Sequence, residues 1–133
     1  MTKDTPRELR IDIETFSGRK VYAMYSEFNI SSESEKYKLH LAGYTGDAGE
    51  GLLFEYDLPT HNGKPFSTFD ADYDRRKGCC ACECGGGWWY GDCFLSNLNG
   101  KYYAERPPGY QGILWYTIVE YNRSLKFVQM SIR

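Results

Sequence analysis

Apolar and polar residues alternate in three successive stretches near the start of the chain. Leu9-Arg-Ile-Asp-Ile-Glu-Thr-Phe16 places Leu9, Ile11 and Ile13 on one face, the pattern of a half-buried strand. Ser17-Gly18 follows as a hairpin turn, and Val21, Ala23 and Tyr25 open a second alternating run that reaches Ile30. After a charged turn at Glu33–Lys36, Tyr37-Lys-Leu-His-Leu-Ala-Gly-Tyr44 alternates again. Three consecutive strands with short connections predict an antiparallel meander. Residues 1–8 read as a loose polar arm containing Pro6.

From Thr45 the pattern stops. Gly46-Asp-Ala-Gly49-Glu-Gly51 is too glycine-rich for a strand, and residues 52–58 fit a short strand or a turn of helix. Residues 59–64 read as a loop around His61-Asn-Gly. Ser96-Asn-Leu-Asn-Gly100 reads as a turn, and Pro107-Pro108-Gly109 as a loop. Gly112-Ile-Leu-Trp-Tyr-Thr-Ile-Val119 is apolar enough for a buried strand. Residues 125–132 alternate through Leu125, Phe127 and Gln129 and close the chain as an edge or return strand. The middle therefore needs something besides a core to hold it, and a disulfide or a bound ion are the usual means.

At 133 residues one domain is expected. A net charge of −2 gives no electrostatic case for nucleic acid or an anionic membrane. No apolar run has the length of a membrane span, and no apolar segment follows Met1-Thr-Lys-Asp as a signal peptide would require. The cysteines point to an oxidising compartment nonetheless. All five (Cys79, Cys80, Cys82, Cys84 and Cys93) fall within one short stretch. Five is odd, so one sulfur stays a thiol, binds metal or pairs outside the chain. Sequons at Asn29-Ile-Ser31 and Asn122-Arg-Ser124 agree with secretion and mark Asn29 and Asn122 as glycosylation candidates.

Ahead of the cysteines lie Asp70, Asp72 and Asp74. In an extended segment they share a face, where their mutual repulsion is relieved by a cation. Calcium suits such a site because it takes about six to eight oxygens in irregular geometry. The competing reading is a solvated acidic loop neutralised by Arg75, Arg76 and Lys77. An EF-hand is excluded. A loop starting at Asp70 puts Arg75 at the turn glycine and Ala81 at the bidentate glutamate, and one starting at Asp72 puts Lys77 at that glycine.

Several motifs together resemble the fibrinogen C-terminal (fibrinogen-related) domain, the family of fibrinogen chains, ficolins, tachylectins, angiopoietins and tenascins. They are Tyr25-x-x-Phe28, Ser32-Glu-Ser-Glu-Lys-Tyr37-x-Leu39, Gly43-Tyr-x-Gly-Asp-Ala-Gly49 and His61-Asn-Gly-x-x-Phe66-Ser67-Thr. Asp70-x-Asp-x-Asp74, Gly87-Trp-Trp89-x-x-x-Cys93 and Ser96-Asn-Leu-Asn-Gly100-x-Tyr-Tyr complete the set. The resemblance runs from about Arg7 to the end. It implies an α+β fold, a twisted antiparallel sheet with few short helices plus a loop-rich calcium- and ligand-binding subdomain. Residues 7–58 and 112–133 would form the sheet subdomain, and residues 59–111 the binding subdomain.

The resemblance also implies functional residues. Asp72 and Asp74 would bind calcium by side chain, and Arg76 and Gly78 by backbone carbonyl. Cys80 and Cys93 would form the bracketing disulfide. A cis peptide at Asp92-Cys93 would turn the N–H groups of Cys93 and Phe94 into a pocket for an acetylated ligand, with Tyr110 and Tyr121 as aromatic walls. Two departures stand out. Phe94 replaces the family's usual histidine, and Cys79, Cys82 and Cys84 are additional. The family's amino-terminal subdomain has no counterpart in this sequence, which implies a partial domain with an exposed sheet edge and a tendency to associate, for example as a homo-oligomer.

The first functional expectation is a secreted, calcium-stabilised recognition module for glycans or other pattern ligands, of the lectin type seen in innate immunity, and not an enzyme. The second is a protein- or receptor-binding module in clotting, signalling or matrix adhesion, which Phe94 favours. The third is an intracellular zinc or redox protein using Cys79, Cys80, Cys82, Cys84 and His61, although adjacent cysteines suit a tetrahedral site poorly.

Overall fold

The computed structural model describes residues 7–49, 51–52, 61–74, 77–91, 93–103, 112–115, 117–118 and 124–133. Strand β1 (Arg7–Glu14) turns back into β2 (Lys20–Ile30). A short 3-10 turn (Glu33–Glu35) then leads to β3 (Leu39–Gly46). Helix α1 is Cys80–Cys84. The two-residue strands β4 (Ser96–Asn97) and β5 (Leu114–Trp115) pair with each other, and β6 (Phe127–Ile132) ends the chain. The main sheet has the order β3-β2-β1-β6, and every pairing in it is antiparallel.

The meander follows from the alternation. Leu9 and Ile11 in β1, with Ala23 and Tyr25 in β2, lose all solvent contact. Burying a side chain the size of Leu9 or Ile11 stabilises by about 1.5–3 kcal/mol. One irregularity could not be read from periodicity. Leu9 pairs with Tyr25 but Arg7 with Phe28, so Glu8 faces both Ser26 and Glu27. This β-bulge shifts the parity of β2 and turns Phe28 inward, to 3% exposure.

Three expectations are corrected. β3 continues through Thr45 to Gly46, which pairs with Ala23. Gly46 has φ +132, and a Cβ there would collide with the Tyr22 carbonyl oxygen, so a glycine is what lets this strand end lie close to β2. Among its described residues, the run 112–119 is strand only at Leu114–Trp115, and a turn follows at Thr117–Ile118. In β6 the inward phase belongs to Val128, Met130 and Ile132, which pair with Ile13, Ile11 and Leu9, and not to Phe127 and Gln129. Leu125, fully buried, lies before that strand and donates its N–H to the Ile113 carbonyl at 2.7 Å.

Within the described residues β6 is an edge, with Met130 and Ile132 at 37% and 41% exposure on the core-side face. The inner face of the sheet and the aromatic segment Trp88-Trp89-Tyr90 belong to one apolar cluster that also takes in Trp115 and Leu125. The sheet is thereby the floor on which the loop-rich segment sits. Residues 53–58 of the stretch expected as a strand or helical turn, and residues 59–60 of the loop expected after it, lie outside the described residues.

Candidate functional site

Among its described residues, the loop-rich segment has one regular element longer than two residues, the five-residue helix α1. Cys79 caps its start, and Gly85 at φ +90 ends it in the left-handed conformation that glycine adopts without strain. Its shape otherwise comes from tethers. Cys80 and Cys93 are joined by a disulfide, as the resemblance implied. In the chain-entropy model a loop of that length is worth about 3 kcal/mol. A second bridge, which the sequence left open, joins Cys79 to Cys82 across a separation of three. Closing so short a loop is worth about 2 kcal/mol. Cys84 is a buried thiol.

His61 is the tether that sequence reasoning misread. It is completely buried, and its Nδ1 lies 2.9 Å from the Trp89 carbonyl oxygen. Its Nε2 accepts from the backbone N–H groups of both Leu95 and Ser96, at 3.1 Å each. Two donors aimed at Nε2 leave the proton on Nδ1, so the neutral Nδ1–H tautomer is the one that satisfies all three contacts. Burial pushes the imidazole down to about 4. The bond to the Trp89 carbonyl works against this shift and the charge of Lys64 adds to it. His61 therefore ties its own loop to Trp89 on one side and to the start of β4 on the other. Its edge rests on the Trp88 ring, with centroids 6.2 Å apart. No spacing rule points to this role. The signal was a solitary histidine in a tight His-Asn-Gly turn with no second histidine nearby in sequence.

The tryptophan pair is buried on both sides, with Trp88 at 1% and Trp89 at 7% exposure, so neither ring is presented to solvent. The Trp89 indole N–H donates to the Tyr37 carbonyl at 2.8 Å, and Phe66 packs edge-on against Trp89 at 5.3 Å. Tyr90 donates its hydroxyl to the Gly86 carbonyl at 2.6 Å. Burial, and after it the electrostatic influence of Cys84 and Asp74, pushes its phenol well above the ordinary range. The Asn97 amide reaches the Cys84 carbonyl at 2.9 Å and fastens β4 to the end of α1.

The acidic loop hangs from Ser67, which exchanges backbone hydrogen bonds with Trp88 (Ser67 N–H to Trp88 carbonyl 2.9 Å, and the reverse 3.1 Å). The Ser67 hydroxyl accepts from the Tyr73 N–H at 3.0 Å. Asp70 takes a bond from the Thr68 hydroxyl at 2.7 Å. One oxygen of Asp72 accepts from the Asp74 N–H at 3.2 Å, and one of Asp74 from the Cys80 N–H at 2.9 Å. These bonds fix two hard-oxygen donors next to α1, the donor chemistry that calcium takes. No three metal-ligating side chains cluster among the described residues. A calcium ion here thus needs backbone carbonyls and water for the rest of its shell, the part expected of Arg76 and Gly78. Gly78 is described and half-buried, whereas Arg76 lies outside the described residues.

Of the expected pocket residues, Cys93 is half-buried and Phe94 is 6% exposed. Asp92, Tyr110 and Tyr121 lie outside the described residues, as does Asn122. Asn29 sits half-buried in β2, paired with His40 of β3. The zinc reading is corrected. Four of the five sulfurs are in disulfides, and His61 spends both ring nitrogens on backbone groups.

A paired Trp-Trp segment bracketed by Cys80–Cys93, behind an aspartate loop and over an antiparallel sheet, is the arrangement the sequence motifs implied. The profile of the C-terminal globular domain of fibrinogen beta and gamma chains matches residues 1–133. The chain belongs to the fibrinogen C-terminal domain family. Fibroleukin from Bos taurus is 42% identical over the whole chain, and human fibroleukin 40%. The chain spans about a third of their length, 32% in each case.

Among solved structures, the fibrinogen-like globe domain of human ANGPTL2 superposes with a TM-score of 0.88 at 42% identity, covering 96% of this chain and 58% of that one. The lamprey fibrin D-dimer, complexed with the peptide Gly-His-Arg-Pro-amide, superposes with a TM-score of 0.85 at 35% identity. That match covers 95% of this chain and 44% of the other. The fold is thus a fibrinogen-like globe fold, an antiparallel sheet with few short helices. No helix among the described residues is long and apolar enough to cross a membrane.

Proposed function

We propose that this chain is a recognition module for protein or peptide ligands, with the surface beside the Cys80–Cys93 bridge as its binding face. The observation that supports this most is the likeness to a fibrin D-dimer complexed with a short peptide, at 35% identity over 95% of the chain. Phe94 agrees, because an apolar side chain buried at that position gives the pocket wall no polar group for a sugar hydroxyl. Cys93 and Phe94 lie at the face, and Asp92, Tyr110 and Tyr121 are its remaining candidates. The module binds its partner and does not transform it. Two disulfides suit an oxidising compartment, so we place it outside the cell.

A calcium ion held by the Asp72 and Asp74 carboxylates, with the Arg76 and Gly78 carbonyls, would neutralise the acidic loop and stiffen it against α1. Its part is structural: it supplies charge compensation to a loop whose shape the hydrogen bonds from Asp74 and Cys80 already favour.

Selection against an immobilised peptide library, with N-acetylglucosamine as competitor and a chelator as second condition, tests the reading. Bound peptides are expected to survive the sugar and to be released by the chelator. Elution by N-acetylglucosamine would return the assignment to an acetyl-sugar lectin.

A further inference from the structure

We propose that the Cys79–Cys82 disulfide is a thiol–disulfide exchange site for low-molecular-weight thiols, separate from the structural Cys80–Cys93 bridge. The two bridges share one helix but differ in access. Cys80 has no exposure at all and Cys93 is half-buried, whereas Cys82 is exposed on the outer side of α1, its sulfur 3.8 Å from the Phe69 carbonyl oxygen. A thiolate must reach a sulfur in line to displace its partner, so access selects the bridge and the atom that is attacked.

The local bonds also select the leaving group. Cys79 is half-buried and its sulfur accepts the Cys82 backbone N–H at 3.1 Å, so charge that develops on Cys79 meets a donor already in place. An external thiolate attacks the Cys82 sulfur, a new S–S bond forms there, and the Cys79–Cys82 bond breaks with its electron pair going to Cys79. No net oxidation occurs in that step. A second thiolate attacks the external sulfur of the mixed disulfide, releases Cys82 as thiolate, and completes a two-electron reduction of the bridge with oxidation of two small thiols to their disulfide.

The step is reversible by construction. The Cys79 carbonyl accepts the Glu83 N–H at 3.1 Å, and the neighbouring Cys80 N–H is held by Asp74 at 2.9 Å. Cys79 therefore stays beside Cys82, with the Cα atoms 5.2 Å apart in the bridged form, and can retake its partner. The same Asp74 contact places the exchange site against the acidic loop.

The test incubates the oxidised full chain with reduced glutathione without denaturant, quenches with iodoacetamide and maps the sulfurs by peptide mass spectrometry. Cys79–Cys82 is expected to open about tenfold faster than Cys80–Cys93 or more, with the glutathione adduct on Cys82. The Cys82→Ser variant should form no adduct, and Cys84→Ala should exchange like the parent. Retention of the Cys80–Cys93 bridge in the same map reports that each variant is folded. Opening of both bridges together, an adduct on Cys79, Cys80 or Cys93, loss of exchange in Cys84→Ala, or no reaction short of denaturation would each overturn the proposal.

Discussion

In β1 and β2 of the meander nearly every second side chain is apolar and buried, whereas among the described residues between His61 and Lys101 the longest regular element is the five-residue α1. Yet Trp88 and Tyr90 in the irregular segment are buried as deeply as Ile11 in the sheet. Depth of burial is thus the same in both regions, and what directs it is not. Strand pairing positions the sheet residues through a repeated backbone ladder. Single contacts from His61, Ser67, Asn97 and the cysteine bridges position the others. Stability in the sheet should therefore be indifferent to pH and reductant, and stability in the loop-rich segment should depend on both.

The largest expected effect is at His61. His61→Leu keeps the volume but leaves the Leu95 and Ser96 N–H groups and the Trp89 carbonyl buried without their partner. Each such group costs about 1–3 kcal/mol, so the variant should lose roughly 4 kcal/mol in denaturant melts. A loss under about 1 kcal/mol would erase the contrast between the regions. Next comes Cys80→Ser with Cys93→Ser, expected to cost about 3 kcal/mol by the same measurement, with the loop-rich segment exchanging its amides faster and the meander unchanged.

Acid should produce a comparable loss. His61 titrates at about 4 in the folded chain against 6.5 in the unfolded chain. As pH falls below 6.5 the unfolded state takes up a proton that the folded state refuses. The contribution is therefore full above 6.5 and disappears as pH falls through about 4, a difference of about 3 kcal/mol. His61→Leu should lack that dependence. The smallest effect belongs to the sheet: Ile11→Val should cost about 1 kcal/mol, equally at pH 7 and pH 5 and with or without reductant.

The same division explains what could be read from the residues alone. Leu9, Ile11 and Ile13 announce β1 because strand geometry repeats every second residue and the repeat is written in the side chains. The bulge opposite Glu8 is not written there, since Ser26 and Glu27 are ordinary polar positions until the register of β1 is known. In β6 the choice between Phe127 and Val128 as the inward residue was decided by pairing with β1, because both phases offered apolar side chains. The Cys80–Cys93 bridge came from family resemblance, whereas Cys79–Cys82 required the start of α1 to bring the sulfurs together. His61 was the least legible of all. Its three partners are backbone groups of Trp89, Leu95 and Ser96, and a backbone partner leaves no trace in side-chain identity. The aspartates at 72 and 74 were legible as a pair, but the hydrogen bonds that orient them come from amides.

That a neutral buried imidazole organises the loop-rich segment is tested most directly by an NMR titration of the His61 ring nitrogens. A protonated Nδ1, an unprotonated Nε2, and no titration until pH approaches about 4 are expected, and there the Leu95 and Ser96 amide signals should shift with it. Titration of the ring near its ordinary value of 6.5, or a proton resident on Nε2 at neutral pH, would contradict it.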